Sequence, residues 1–72
     1  MEPDNLILKR IGANIKKLRE ASHIKQEWLG KKTGLSKSGI SRLEHGERDT
    51  TIKHLTKIAD VLQTLPEEFF KE

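Results

Sequence analysis

The sequence predicts an all-α fold of five helices. Apolar residues recur at spacings of three and four, no segment alternates with period two, and a Gly-Leu-Ser turn separates two short helical stretches. Asp4 or Asn5 is placed to cap a first helix running to about Ala21. Its Ile7, Ile11, Ile15 and Leu18 form one apolar stripe opposite Lys9, Lys16 and Lys17. A second helix is expected from Gln26 to Thr33 and a third from Lys37 to His45, with Leu29, Leu35, Ile40 and Leu43 directed to the core. The stretch Gly46-Glu47-Arg48-Asp49-Thr50 is a loop by composition. Thr51 then caps a fourth helix with Ile52, Leu55, Ile58, Ala59 and Leu62 on one side. Pro66 suits the first turn of a fifth, from Pro66 to about Lys71. Glu67 and Glu68 fit its N-terminus, and Phe69 and Phe70 add apolar weight.

The segment QEWLGKKTGLSKSGISRLEHG, from Gln26 to Gly46, is the most informative part of the chain. Gly34 stands where a helix ends and the backbone needs positive φ. Ser36 stands where the next helix needs a capping oxygen. Two short helices joined by such a turn make the helix-turn-helix layout, whose second helix enters the DNA major groove. Charge agrees with that layout. Residues 9–42 hold ten basic side chains (Lys9, Arg10, Lys16, Lys17, Arg19, Lys25, Lys31, Lys32, Lys37, Arg42) against the acids Glu20 and Glu27. The remainder is acidic. A basic half containing the helix expected to read DNA is the footprint of a phosphate-binding face, although lysines are also common on solvated helices.

Composition narrows the alternatives. Seventy-two residues are expected to form one domain over residues 1–72, with no separate ligand-sensing part. There is no cysteine, hence no disulfide or thiolate chemistry, which fits a reducing cytoplasm. The opening MEPDNLILKR has no signal-peptide pattern, and no apolar run approaches membrane-spanning length. His23, His45 and His54 lack metal-ligand spacing. No triad or glycine-rich phosphate loop is present, so neither a metal, a cofactor nor an enzyme is expected.

On these residues, with IGANIKKLREA before them and TIKHLTKIADVL and EEFF after them, the chain resembles the lambda-repressor-like, Cro and repressor-type helix-turn-helix domains of the Xre group. The resemblance covers nearly the whole chain and implies a compact five-helix domain. It further implies a sequence-specific regulator of transcription, a repressor, binding a palindromic operator as a homodimer. Lys37, Ser38 and Arg42 would reach base edges, since Lys and Arg can bond guanine and Ser is promiscuous. Gln26 would bond a phosphate and brace a side chain of the reading helix. Lys25, Lys31, Ser41, His45 and Arg48 would contact the backbone or a neighbouring side chain; for each, the plain alternative is a solvated residue. Glu44 ends a helix, where the dipole disfavours an anion. The resemblance supplies its cation, Arg19, across the core.

The departures from the family pattern are specific. Gly30 replaces a usual Ala where helix three approaches helix two, preserving the fit. His23 replaces a Gly that closes helix one, and His tolerates left-handed geometry. Lys25 replaces a capping Ser, Thr or Asn. Thr50 replaces a common loop Pro, and the changes at Gln63, Thr64 and Leu65 bear on the C-terminal dimer surface. Gly39, in mid-helix, reads either as a close approach to DNA or as surface tolerance. Trp28 faces outward, over the stems of Lys25 and Lys32 or toward a protein partner. The rival reading is a protein-interaction module on the same fold, such as an antitoxin or a phage factor, anchored by Trp28 or by Phe69-Phe70.

Overall fold

A computed structural model describes the backbone of residues 3–72 and the side chains of residues 6–72. The acidic start at Met1 and Glu2 lies outside the described residues. Four α-helices and a closing 3-10 turn follow one another: α1 Pro3–Ala21, α2 Gln26–Thr33, α3 Ser36–Glu44, α4 Ile52–Val61 and the turn Pro66–Phe70. The fifth element is therefore not an α-helix. Five residues cannot hold more than a turn or so of helix, and the tighter i→i+3 pattern is the usual form of such short pieces.

The helix α1 begins at Pro3, ahead of the Asp4 or Asn5 expected to cap it, so both fall within its first turn. Proline fits the first helical position because its missing N–H has no acceptor inside the helix. The other caps follow the residue chemistry. Thr51 Oγ1 accepts the N–H of His54 at 3.1 Å and starts α4. Lys25 precedes α2 without a side-chain cap. His23 closes α1 with φ 58°, and Gly34 closes α2 with φ 79°.

The core is built from every helix and the closing turn: Ile11, Ile15, Leu29, Leu35, Ile40, Leu43, Leu55, Ile58, Ala59, Leu62 and Phe69. Two apolar residues expected there are outside it. Ile7 is 47% and Ile52 72% exposed. Ile7 shares the stripe of Ile11 and Ile15 but precedes Ile11, its first buried residue; in that turn Leu8 is the one partly covered. Ile52 lies in the first turn of α4, roughly 70° around the helix from the centre of the buried stripe. Of the two phenylalanines, Phe69 is fully buried and Phe70 is 44% exposed. The turn bearing Phe69 is tied to α1 by Asn14, whose Nδ2 donates to the carbonyls of Phe69 at 2.9 Å and Lys71 at 2.6 Å.

The turn between α2 and α3 decides how the two helices meet. Ser36, expected just outside α3, is its first residue, and α3 ends at Glu44 rather than His45. Ser36 nevertheless supplies the expected oxygen, its Oγ accepting the N–H of Gly39 at 3.1 Å. It does so at φ 63°, a left-handed conformation that costs a non-glycine residue on the order of 1–3 kcal/mol. The Ser36 backbone then presses against Gly30. A Cβ on Gly30 would lie 2.5 Å from the Ser36 carbonyl carbon and 2.6 Å from its oxygen. The fit is thus too tight for an alanine at position 30 unless the turn shifts.

Gly30→Ala should consequently destabilise the fold although alanine is the better helix former. The helix gain of about 1 kcal/mol is outweighed by overpacking of about 1–3 kcal/mol against backbone. The expected net loss of ~1 kcal/mol would lower Tm by roughly 4–8 °C. A higher Tm in thermal denaturation would show that the turn yields freely.

Candidate nucleic-acid interface

The helix α3 divides cleanly around its axis. Gly39, Ile40, Leu43 and Glu44 are buried, Lys37, Ser38 and Arg42 are exposed, and Ser41 is half-buried between them. At 3.6 residues per turn, Lys37, Ser38, Ser41 and Arg42 occupy one continuous face opposite Ile40 and Leu43. The three expected base-reading residues are therefore brought together on one surface.

Beside this face, Arg19, Lys25, Gln26, Glu27 and Lys37 line an open cleft of about 570 Å³ between the start of α2 and the first turn of α3. Three of its five side chains are cationic, and the N-terminus of α2 adds unpaired backbone N–H groups and the positive end of its dipole. Lys25 and Gln26 thus lie next to Lys37. Lys31 does not join them: it is exposed on the outer side of α2 and does not line the cleft. Trp28 shares that outer side, 45% exposed, with the Lys32 ammonium 5.3 Å from its ring centre in a cation–π contact. The partner is the charged end of Lys32 rather than a lysine stem, and Lys25 turns to the cleft instead.

The helix α3 is braced from behind by Glu44. Arg19 Nε donates to Glu44 Oε2 at 2.6 Å and Nη2 to Oε1 at 3.1 Å, a two-pronged pair. Arg19 Nη1 donates to the Ile24 carbonyl at 2.7 Å, fixing the α1–α2 loop as well. Both residues are buried, at 8% and 6% exposure. Their hydrogen bond, reinforced by the charges of Glu44 and Glu20 and opposed by burial, holds the Arg19 guanidinium proton above arginine's already high ordinary range. A raised folded-state pKa contributes stability below the unfolded value and loses it only on rising through the folded one. Arg19 therefore stays charged and paired throughout neutral and moderately alkaline pH.

Gln26 also reaches Glu44, its Nε2 donating to Oε1 at 2.9 Å. A carboxylate can only accept, which fixes the amide orientation. The side chain of α3 that Gln26 braces is thus the structural glutamate, a link sequence reasoning did not find. His45, just past α3, lies with Nδ1 2.6 Å from the Ser41 carbonyl; that nitrogen must carry the proton. Arg48 is half-buried and returns toward α3, with Nε donating to the Asp49 carbonyl at 3.3 Å. Among the described residues no three His, Asp or Glu side chains converge as metal ligands, and no helix is long and apolar enough to cross a membrane.

Two short helices locked by a left-handed turn, with the second presenting a polar face beside a cationic cleft, define a helix-turn-helix reading unit. The model of the helix-turn-helix family HTH_3 matches residues 15–70, and the chain belongs to that family, the Cro and repressor-type, lambda-repressor-like group of DNA-binding regulators. No curated protein matches the sequence. Several solved structures do. The restriction-modification controller protein C.AhdI from Aeromonas hydrophila is 32% identical, with TM-score 0.82 over 88% of this chain and 96% of that one. An HTH_3 family transcriptional regulator from Vibrio cholerae is 31% identical, with TM-score 0.84 over 93% of this chain and 38% of its own. The clp gene regulator ClgR from Corynebacterium glutamicum, at 19% identity and TM-score 0.87 over 93% of this chain and 71% of that one, shares the fold.

Proposed function

We propose that the protein is a cytoplasmic, sequence-specific regulator of transcription that represses by binding a palindromic operator as a homodimer. The observation that carries the reading is the single exposed face of Lys37, Ser38 and Arg42 on α3, set against a buried Glu44–Arg19 brace. Those three side chains read base edges in the major groove. Lys25, Gln26, Ser41, His45 and Arg48 position α3 on the sugar-phosphate backbone, and Lys31 adds a more distant cation. The likeness to a restriction-modification controller, of which the chain covers nearly the full length, supports gene control by a small protein of this kind. Leu65, just before the closing turn, and Phe70, its last residue, are 60% and 44% exposed and supply an apolar surface for dimerisation.

Selection of bound fragments from a random duplex pool tests specificity and symmetry together. Enrichment of a palindrome with half-site centres about 34 Å apart is the expected result. A one-sided footprint, with sedimentation as a monomer at high concentration, would remove the homodimer. No enrichment at all would favour a protein-interaction module, with Trp28 or Phe70 as its contact.

A further inference from the structure

Gly39 sits in the middle of α3, where glycine weakens a helix, and it is buried on the flank next to Arg42. What covers it is Arg48. A Cβ on Gly39 would lie 3.0 Å from Arg48 Nη1 and 3.3 Å from Ser36 Oγ. Arg48 is held at a second point through the bond from Nε to the Asp49 carbonyl. Its charge is not neutralised: among the described residues no carboxylate pairs with it, and the Asp49 carboxylate accepts the Thr50 N–H at 2.7 Å instead. The N–H groups of both Nη atoms have no protein acceptor there.

We propose that Gly39 is a positioning residue for DNA binding. Its missing side chain is a seat that holds the Arg48 guanidinium against the flank of the reading helix, so that a phosphate meets a cation already in place. The inference rests on the DNA-binding reading and extends it. An arginine free to swing loses rotamer freedom when it binds, and a seat removes part of that loss beforehand. The arrangement also gives α3 a cation on each side of its reading face, Lys37 with the cleft on one and Arg48 on the other. A methyl at position 39 would meet the far end of the Arg48 side chain, the Ser36 hydroxyl and, in ordinary contact at 3.6 Å, Leu35 Cβ, so the flexible Arg48 guanidinium is the group that has to shift off its seat.

The test is a double-mutant cycle of Gly39→Ala and Arg48→Ala, titrated against selected and scrambled duplex over a range of salt. Gly39→Ala should leave Tm unchanged or raise it, since alanine favours helix. It should weaken binding to both duplexes by roughly three- to tenfold and flatten the salt dependence by up to about one unit of slope, with base preference unchanged. In the Arg48→Ala background the same change should shift affinity by less than about twofold. In the free protein, the Arg48 Nε–H resonance should move on Gly39→Ala. An equal loss of affinity in both backgrounds would show that the methyl meets DNA directly, and would overturn the seat. So would an unmoved Arg48 resonance, or unchanged binding by Gly39→Ala. Failure of the wild-type protein to bind any duplex would instead overturn the DNA-binding reading itself.

Discussion

Replacing Arg19 or Glu44 by Ala should each cost about 3 kcal/mol of folding stability, because each leaves a charge that is buried and no longer paired. For a chain of this length, with a total stability of roughly 4–11 kcal/mol, that is a large share. Tm should fall by ~12–24 °C. Arg19→Ala should be the worse of the two. The Glu44 side chain is 1% exposed against 10% for Arg19, and it would keep only the Gln26 amide as donor. Arg19 in the Glu44→Ala protein would retain the Ile24 carbonyl and, at 3.9 Å, the exposed Glu20 carboxylate. Chemical denaturation of both single variants and the double variant checks the expectation. Losses below roughly 1 kcal/mol in both singles would place the pair in the weak, solvent-screened class.

Arg42→Ala and Arg48→Ala should separate reading from positioning. Phosphates are the same at every sequence, whereas base edges are not. Arg42→Ala is expected to cost about 1–3 kcal/mol on the selected operator, with little loss on scrambled DNA, and to relax preference at one base pair per half-site. Arg48→Ala is expected to weaken both complexes alike and to flatten the salt dependence by about one unit of slope. Paired salt titrations of the two variants give the answer. An equal loss on both duplexes for Arg42→Ala would make it a phosphate contact and move the reading face elsewhere on α3.

The features legible in the sequence were those fixed by local chemistry. The bounds of α2, the left-handed Gly34 and the Thr51 cap each depend on a few adjacent residues, and all three stand in the structure. The Arg19–Glu44 pair is remote in sequence and came from the family resemblance together with an anion at the wrong end of a helix dipole. Periodicity misplaced Ile7 and Ile52 because it reports which side of a helix is apolar, not whether anything lies over that turn. The identity of Gly39's neighbour was out of reach for a related reason. Its absent side chain is noticed easily, but Arg48 lies in the loop after α3, and only the way that loop folds back brings it over the helix. Gly12 is a similar case: a Cβ there would come within 2.3 Å of the Leu43 carbonyl oxygen, so α1 and α3 touch nearly backbone to backbone.

Glu44 Oε1 accepts from both Arg19 and Gln26, so a single oxygen serves the scaffold and the amide proposed to meet a phosphate at once. A substitution at that carboxylate cannot be neutral for one task and harmful for the other. On the proposed reading, lineages drifting toward a new operator are therefore free to vary Lys37, Ser38 and Arg42, none of which bonds to the Arg19–Glu44 pair. They must carry Arg19, Gln26 and Glu44 forward together, as one inherited unit.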